Sequence, residues 1–424
     1  MQSIYQRRAI ACIDLKSFYA SVECVLRGLD PFKTPLIVAD KSRGEGSIVL
    51  AISPYLKKLG FPSRARIYEL KDLPKHVIVA KPNMNTYIEF SKEIIGVYLE
   101  FIAKEDLHIY SIDESFLDLT DYLIYYNMDA KTLTKTIMKR IYARTKIPSS
   151  AGVGDNLLLS KLALDLKSKR SKDHLEMMHY EDVKNDLWPL KPLSKMWGIG
   201  QRMERRLNLL GLYQVEDIAK YDVKKLKRHF GIIGEELYYH AHGVDQAIIK
   251  EKHQDVKAPC KSVGLGQTLY RDYHASELMV LLLEMSDETA EKLRFIRQEA
   301  KTIHLSIAYA KEVGGGFSRQ LSLPQATDLS SEILSACLTL IDHHYENEAV
   351  RKISVRATNL KPKRLFDQLS FFESIHKKER EQRLFQTIDT LKGRFGKKSV
   401  LRLTSYLEAG TAKRRATLVG GHHG

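Results

Sequence analysis

The sequence predicts a multidomain protein of the α+β class. The chain has 424 residues, of which 44% are hydrophobic, enough for two to four domains with sizeable cores. Apolar runs typical of strands alternate with helical patterns over residues 1–170, and a helical stretch with glycine-rich turns follows over 174–243. Strands and helices mix again over 261–360, so the pattern changes indicate at least three folded regions.

The first region is predicted to combine short strands with helices. Four runs rich in β-branched residues and bounded by turn residues predict strands: AIACID (9–14), PLIVAD (35–40), GSIVLAIS (46–53) and HVIVAKP (76–82). Apolar residues at helical spacing occupy 86–104, and another helix is expected over roughly 130–145. Residues 108–120 predict a hairpin, and 149–156 predict a strand that opens into a helix.

The later regions follow the same logic. The charged stretch KEKHQDVKAP (250–259) reads as a linker after the helical region. Beyond it, the predicted elements are half-buried strands at 304–310 and 352–360 and helices at 277–294 and 331–344.

The chain is strongly basic, with a net charge of +15. Residues 361–424 hold 15 Lys/Arg against 6 Asp/Glu, which accounts for +9 of that surplus. We expect these residues to form a partly disordered basic tail. A surplus of this size favours an anionic partner, most commonly nucleic acid, although a merely basic soluble protein is the alternative.

The cysteines do not indicate a metal or disulfide framework. They lie far apart and form no CxxC pair: Cys12, Cys24, Cys260 and Cys337. No segment approaches the roughly 20 apolar residues that a membrane span needs, and the first apolar run is too short for a signal peptide. We therefore expect a protein of the reducing cytoplasm with no membrane partner.

Two adjacent acids interrupt the apolar hairpin HIYSIDESFLDLT (108–120). Asp113 and Glu114 repel each other, and Asp14 adds a third acid at the end of another apolar strand. If these two strands pair, three carboxylates converge, and buried carboxylates are normally paired or bound to metal. Mg²⁺ prefers such oxygen ligands, and two ions can support an in-line phosphoryl displacement. The alternative is that the acids form only the polar tip of a hairpin.

The stretch CIDLKSFYASVE (12–23), followed by YSIDESFLDLT (110–120), resembles the first and third motifs of the Y-family DNA polymerases, in their UmuC/UvrX-like bacterial branch. The resemblance extends over about 8–360 and implies a right-hand polymerase with a ferredoxin-like palm, small fingers, a helical thumb with a helix-hairpin-helix, and an α/β little finger. The implied boundaries are palm 1–17 and 80–173, fingers 18–79, thumb 174–243, linker 244–260, little finger 261–360, and a basic tail with a clamp-binding peptide, 361–424.

The resemblance implies catalytic roles for the three acids. Asp14, Asp113 and Glu114 would hold two Mg²⁺ ions, with Mn²⁺ as the alternative ion and with help from the backbone carbonyl of Leu15. The primer 3′-hydroxyl would then attack the α-phosphate of a deoxynucleoside triphosphate, and pyrophosphate would leave.

The resemblance also implies contacts to the nucleotide. Phe18 and Tyr19 would lie at the nucleotide, with Tyr19 as a steric gate against a 2′-hydroxyl; core packing is the alternative and is favoured for Phe18. Lys57 and Lys161 would hold the triphosphate, while a solvated helix position is the alternative for Lys161. The segment SPYLKKLG (53–60) departs from the family's Tyr-x-x-Arg pattern, because Pro54 and Lys57 stand there and lysine lacks the arginine fork.

Primer–template DNA is the partner implied for two further regions. In WGIGQRMERRL (197–207), glycines permit a tight turn and the helix N-terminus can hold a phosphate. The candidate residues in that hairpin are Gly198, Gly200, Arg202, Arg205 and Arg206. The candidates in the little finger, each of which could also be an ordinary surface charge, are Lys261, Arg351, Lys352 and Arg356.

A short peptide, DQLSFF (367–372), resembles the sequence that binds the bacterial sliding clamp. Its implied anchors are Gln368, Leu369, Phe371 and Phe372. The alternative is a last structural element docked on the little finger. A UmuD-like accessory subunit is a further partner that the resemblance leaves open.

The sequence thus leads to a low-fidelity, template-directed DNA polymerase of translesion synthesis, in the cytoplasm and associated with the nucleoid. A non-catalytic DNA-binding or clamp-interacting repair factor on the same scaffold is the alternative, but it would not need all three acids. A palm enzyme of the nucleotidyl cyclase kind is weaker, because it would have no use for the thumb-like hairpin or the basic tail.

Overall fold

The computed structural model describes residues 7–254, 260–363 and 375–423 of the chain. The described residues belong to two compact units, one within Met1–Lys257 and one within Ala258–His423. The fold is mixed α+β, as the sequence predicts.

The N-terminal unit is built on a five-stranded sheet in the order β5-β6-β1-β7-β8. Its strands are β1 (Ile10–Leu15), β5 (Leu107–Ile109), β6 (Glu114–Asp118), β7 (Ser149–Gly154) and β8 (Leu175–Met178). All neighbours are antiparallel except β7 and β8. β1 is central and almost wholly buried, so its apolar residues anchor the sheet.

A second, smaller sheet is formed by residues that lie between β1 and β5 in the sequence. It has three strands in the order β3-β2-β4, which are β2 (Leu36–Val38), β3 (Ala51–Ile52) and β4 (Ile78–Ala80). Helix α1 (Phe18–Leu26) packs against β2 and β3. Helix α2 (Pro54–Lys58) starts with Pro54 at its first position, and the Ser53 hydroxyl accepts a hydrogen bond from the Leu56 amide, so the proline is a helix-start residue here.

Longer helices cover the large sheet. Helix α5 packs on β7, and α3 packs against α5. The helices of this part are α3 (Met84–Tyr98), α4 (Tyr122–Tyr126), α5 (Ala130–Thr145) and α6 (Leu157–Leu162), the last continuing as a π-helical turn (Ala163–Lys167). The predicted helix over 130–145 is confirmed.

The helical region also belongs to the N-terminal unit. Its helices are α7 (Gln201–Asn208), α8 (Val215–Lys220), α9 (Val223–Phe230), α10 (Ile232–Ala241) and α11 (Ile249–Gln254). Within the expected 244–260 linker, residues Ile249–Gln254 form helix α11. The reason is that Ile249 is fully buried with Ile10 and Phe116, while Lys250 pairs with Asp106 at 3.2 Å.

The C-terminal unit is a four-stranded antiparallel sheet with helices on one face. The sheet order is β11-β10-β12-β9, and the strands are β9 (Ser262–Tyr273), β10 (Gln298–Tyr309), β11 (Gly316–Thr327) and β12 (Val350–Pro362). Helices α12 (Ala275–Phe295) and α13 (Ser330–His344) pack on the sheet and bury its apolar residues.

The expectation of a disordered tail is wrong for residues 375–423. They form helix α14 (Ile375–Phe395), a 3₁₀ turn (Leu403–Tyr406), helix α15 (Ala412–Arg415) and a hairpin of β13 (Leu418–Val419) and β14 (His422–His423). Charged residues of this extension form ion pairs with α12 in both senses: Lys392 of α14 pairs with Glu291 at 3.1 Å, and Asp389 of α14 pairs with Arg294 at 2.6 Å. The clamp-binding peptide predicted at 368–372 lies outside the described residues.

Of the helices that the structure describes, none combines the length and the apolar character that crossing a bilayer would require.

Candidate active site

Pairing of β1 with β6 brings the predicted acids together. In the antiparallel register Asp14 lies directly opposite Glu114, and the Leu15 amide donates to the Asp113 carbonyl at 2.8 Å. The convergence expected from the sequence depended on these two strands pairing, and the structure pairs them. All three acids therefore stand at one end of the sheet.

Burial and mutual repulsion perturb Asp14. Burial, together with the charges of Asp113 and Glu114, raises the pKa of Asp14 to about 6, although Lys169 and Lys161 act in the opposite direction. The neighbouring Asp113 is fixed by a hydrogen bond from the Ser111 hydroxyl at 2.6 Å. A nearby cation would stabilise the ionised form of a carboxylate that, like Asp14, is buried beside other acids.

Glu114 is held by two neighbours in the sheet. Lys161 Nζ lies 2.6 Å from Glu114 Oε1, and the Cys12 thiol donates to the same oxygen at 3.1 Å. Burial opposes the charge on Lys161, but the hydrogen bond to Glu114 and nearby charges raise its pKa well above the usual range. Burial and then Glu114 likewise raise the pKa of the Cys12 thiol.

Lys161 is enclosed in the structure. Its side chain is only 9% exposed and is shared between Glu114 and Asp165, with 3.1 Å to Asp165 Oδ2. This enclosure favours a structural role for Lys161 over the expected contact with a triphosphate. The close approach depends on Gly152 in β7, where an added Cβ would stand 2.2 Å from the Ser160 carbonyl oxygen, so α6 can lie directly on the strand.

A different lysine, Lys169, occupies the open side of the site. Its Nζ lies 2.7 Å from Asp165 Oδ1 and 3.6 Å from Asp14 Oδ2, and its side chain is 45% exposed. The charges alternate in sign from Glu114 through Lys161, Asp165 and Lys169 to Asp14. Sequence reasoning missed Lys169, although the spacing of Lys161, Asp165 and Lys169 at four-residue intervals could have indicated one shared helical face.

Two further cations face the acids. Burial lowers the pKa of Lys57, an effect that Asp14 opposes and Lys169 increases, so Lys57 interacts electrostatically with the acid site. Burial and the nearby charge of Lys57 lower the pKa of Lys16 to about 8, although Asp14 opposes them. Lys16 was not foreseen from the sequence.

The donor set fits a hard divalent cation. Asp14 and Asp113 supply carboxylate oxygens, and the pKa of Asp14 is raised first by burial and then by the charges of Asp113 and Glu114. Among the residues that the structure describes, no group of three His, Cys, Asp or Glu side chains is gathered closely enough to hold a metal ion as it stands. Glu114 is engaged by Lys161 instead, and so it would have to turn from that lysine to join the other two.

The aromatic residues after β1 divide into one core residue and one surface residue. Phe18 is 2% exposed, which favours the core-packing alternative over a contact with a nucleotide. The Tyr19 ring is half-buried and stacks on the Tyr87 ring with centroids 4.6 Å apart. Tyr87 in turn donates to Glu23 at 2.7 Å, which fixes the platform beneath Tyr19.

Sequence comparison agrees with this geometry. The impB/mucB/samB family matches residues 13–165, its HHH motif matches 180–212, and its C-terminal domain matches 260–371. A protein named for UV-damage repair, UvrX of Bacillus subtilis (strain 168), is 40% identical over 99% of both chains. DNA polymerase IV 2 of the same organism is 30% identical, again over 99% of both chains. The chain belongs to the Y-family of DNA polymerases.

Solved structures agree with the fold. A Y-family DNA polymerase chimera built from Dbh and Dpo4 superposes with a TM-score of 0.64 at 20% identity, and the match covers 84% of this chain and 99% of that one. The enzyme class is DNA-directed DNA polymerase, a nucleotidyltransferase.

The thumb hairpin of this polymerase is packed against the strand that follows Asp113. Trp197 contacts Phe116 and Tyr110, with ring centroids 6.1 and 6.0 Å apart respectively. Gly198 follows with φ +90°, a backbone conformation that favours glycine, and Gly200 precedes the first residue of α7. These contacts anchor the hairpin next to β6.

The three arginines of α7 are not equivalent. Arg202 and Arg205 are exposed. Arg206 donates to the His229 carbonyl at 3.0 Å, and its guanidinium lies 4.6 Å from the centre of the Phe230 ring. Arg206 therefore braces the thumb, and Arg202 and Arg205 are the better candidates for phosphate contacts.

The little-finger sheet of the polymerase has one polar face. Lys352 and Arg356 lie on that face with Ser354, opposite His304 and Thr268 in the register. These residues line a groove of about 750 Å³. Arg351 has the opposite parity and pairs with Asp272 at 2.7 Å, and Lys261 is exposed just before β9.

Proposed function

We propose that this polymerase carries out low-fidelity, template-directed nucleotide addition in translesion synthesis and DNA damage tolerance, by two-metal-ion nucleotidyl transfer with Mg²⁺ or, alternatively, Mn²⁺. The observation that carries the proposal is the meeting of Asp14, Asp113 and Glu114 on paired strands beside Lys57 and Lys169. Acids are needed to hold cations, and the lysines add positive charge where a triphosphate would bring negative charge.

The carboxylates would hold the ions. Asp14 and Asp113, the Leu15 carbonyl, and Glu114 once released from Lys161 form the ligand set. Bound divalent cations supply electrostatic stabilisation of the charge on the phosphoryl oxygens. Without bound ions, Asp14 is the acid whose ionised form is most clearly disfavoured. Burial and the two other acids raise its pKa to about 6.

The lysines would hold the triphosphate. Lys169 Nζ lies 3.6 Å from Asp14 Oδ2, Lys57 and Lys16 interact electrostatically with Asp14, and burial lowers the pKa of both Lys57 and Lys16. Such lysines gain from an anionic neighbour, because a phosphate compensates the desolvation that they already bear. As point charges they position a phosphate through field rather than through a bidentate fork.

The remaining surfaces would hold the DNA and the nucleotide sugar. Tyr19, supported by Tyr87, would exclude a 2′-hydroxyl. Phosphate contacts would come from the thumb loop at Gly198 and Gly200 with Arg202 and Arg205, and from the polar sheet face through Lys352 and Arg356.

Clamp binding through 368–372, a UmuD-like subunit and a cytoplasmic, nucleoid-associated location remain proposals carried by the family resemblance alone.

The deciding experiment is primer extension on undamaged and abasic templates with Mg²⁺, with DNA affinity measured in parallel. We expect Asp113→Ala to lower the extension rate by more than the roughly 10- to 100-fold typical of losing an outer-shell partner of a metal. The affinity of this variant for primer–template should stay unchanged, because the substitution removes a cation ligand and not a phosphate contact.

Asp173→Ala is the matched control, since it removes an exposed carboxylate of the same unit whose partner is Lys135. Extension by Asp113→Ala at the wild-type rate would reject the assignment of the acids. No extension by any form, with intact DNA binding, would favour the non-catalytic repair factor, and the assay would then be repeated with the clamp and a UmuD-like partner.

A further inference from the structure

A second groove lies at one end of the C-terminal unit, apart from the polar sheet face. It has a volume of about 1210 Å³ and is walled by the last turn of α12, the first residues of β9, the end of β12 and the outer side of α14. Helix α14 lies beyond residue 371, where the match to the family's C-terminal domain ends. The groove is therefore built by the extension together with the little finger.

The lining of the groove is basic. It includes two acids, Glu291 and Asp389, and six cations: Lys292, Arg294, Arg297, Lys363, Lys392 and Lys397. Both acids are neutralised, Glu291 by Lys392 at 3.1 Å and Asp389 by Arg294 at 2.6 Å. The charge that the groove presents to solvent is thus positive.

Two of these cations are available to a ligand. Arg297 and Lys397 are exposed, and neither has a carboxylate partner among the residues that the structure describes. The backbone of Arg297 is held in place, because its carbonyl accepts a hydrogen bond from the Lys363 amide at 3.0 Å. Unpaired cations on the wall of a groove attract a polyanion.

An exposed aromatic ring lines the same groove as these cations. Phe295 ends α12, lines the groove and is 89% exposed. Keeping a phenylalanine ring in water forgoes the free energy that burial would give, so a ring this exposed among cations is typical of a stacking platform. Phe295 makes no use of its faces within the described part of the unit.

The groove is continuous with the polar sheet face. Ser262, Val263 and Gly264 line both, and the sheet face carries Lys352 and Arg356. A strand that leaves the sheet face at β9 would enter the groove without crossing an acidic surface, since the acids of the groove are already paired.

We propose that this groove binds single-stranded DNA, with Arg297 and Lys397 along the sugar–phosphate backbone and an unpaired base stacked on Phe295. The ring favours a single strand, because the faces of bases inside a duplex are covered by their neighbours. The site is additional to the catalytic acids and does not depend on polymerase chemistry.

The test is fluorescence anisotropy of the full-length polymerase with a labelled oligothymidylate of about 20 nucleotides and with a blunt duplex of equal length. Phe295→Ala should weaken oligothymidylate binding roughly tenfold, the usual loss for one stacked base, and leave duplex binding unchanged. Phe295→Trp should restore the affinity. Phe295→Leu should behave like Phe295→Ala, because it is apolar but cannot stack.

The charges have their own readout. Arg297→Ala with Lys397→Ala should reduce the slope of log affinity against log salt by about 1.4 for the single strand, which corresponds to two lost phosphate contacts. Arg383→Ala is the matched control, because Arg383 is an exposed arginine of α14, which walls the groove, but does not itself line it. It should change neither affinity nor slope.

The proposal is overturned if Phe295→Ala and the double variant bind the oligothymidylate like wild type, or if single-strand and duplex affinity fall together. Retention of affinity by Phe295→Leu would also overturn it, because the ring would then serve an apolar protein contact. Primer extension in the same variants separates this inference from the polymerase assignment, since a failure of either leaves the other measurement interpretable.

Discussion

Lys161 and Lys169 carry the same charge and share Asp165, but they serve different neighbours. Lys161 is enclosed and faces Glu114, whereas Lys169 is 45% exposed and faces Asp14. Removing one partner of a buried ion pair is strongly destabilising, while an exposed lysine contributes little to stability. The two lysines should therefore separate in a comparison of stability with nucleotide binding.

We expect Lys161→Met to lower the free energy of unfolding by about 3 kcal/mol in metal-free buffer, because Glu114 is left buried without its cation. Lys169→Met should leave the free energy of unfolding nearly unchanged and raise the KM for the deoxynucleoside triphosphate. Urea unfolding with a chelator and steady-state extension measure the two effects. A raised KM with unchanged stability in Lys161→Met would return the triphosphate contact to Lys161.

Tyr19 makes a second prediction at this scale. Its ring is held by the stack on Tyr87 and has one face left half-exposed beside the acids. Tyr19→Ala should raise the incorporation of ribonucleotides relative to deoxynucleotides, because it removes the ring that a 2′-hydroxyl would meet. Single-nucleotide insertion kinetics with both sugars measure the ratio.

Tyr19→Phe is the control for the Tyr19 prediction, since it keeps the ring and loses only the hydroxyl. It should retain the selection of the wild type. An unchanged sugar ratio in Tyr19→Ala would exclude Tyr19 as the gate.

At the scale of elements, the sequence allowed the acids to be predicted, whereas Lys169, which follows the π-helical turn after α6, was harder to predict. The acids follow from the two motifs, because Asp14 lies near the end of the buried run of β1 and the antiparallel register places it opposite Glu114 at the start of β6. Lys169 does not follow as easily. The turn Ala163–Lys167 departs from helical spacing, so a regular helix drawn from the sequence misplaces the residues after it.

The prediction that the C-terminal extension is partly disordered was wrong for a different reason. Its composition is basic and polar, which by itself indicates disorder. The compensating acids are on α12, more than a hundred residues away in the chain, as in the pair Arg402–Asp287 with 2.8 Å between Nη2 and Oδ1. Composition over a window cannot register such a partner, and only tertiary structure brings the two charge patterns together.

Glu284 tests how the extension is fastened. It is 4% exposed and accepts hydrogen bonds from the amides of Thr411 and Ala412 at 3.0 and 2.9 Å, and from the Thr411 hydroxyl at 2.9 Å. Glu284→Gln should lower the free energy of unfolding of the C-terminal unit by about 2 kcal/mol, because hydrogen bonds to a charged acceptor are lost. Hydrogen exchange should rise in α15 and its neighbours.

Glu312→Gln is the control for the Glu284 prediction, because Glu312 is exposed in the turn between β10 and β11. It should change neither the stability nor the exchange. Wild-type protection of residues 411–415 in Glu284→Gln would show that other contacts hold the extension.

At the scale of the whole molecule, the two units differ in how much an added divalent cation should stabilise them. The three acids, the lysines around them and the raised pKa of Asp14 all belong to the N-terminal unit. The C-terminal unit pairs its acids with its own arginines and lysines, as in Asp389–Arg294 and Glu291–Lys392. A divalent cation should therefore stabilise one unit and leave the other unchanged.

We expect Mg²⁺ at ten times its dissociation constant to stabilise the N-terminal unit by about 1.4 kcal/mol, since it binds the folded acids and relieves their repulsion. That corresponds to a rise of roughly 3 to 6 °C in the melting temperature of a unit this size, while the C-terminal transition stays where it is. Calorimetry with Mg²⁺ and then with a chelator measures the shift, and NaCl of equal ionic strength controls for screening. Asp113→Ala should melt at the same temperature with and without Mg²⁺. An equal shift in that variant, or a shift of the C-terminal transition instead, would locate the cation away from the paired strands and remove the physical basis for the catalytic assignment.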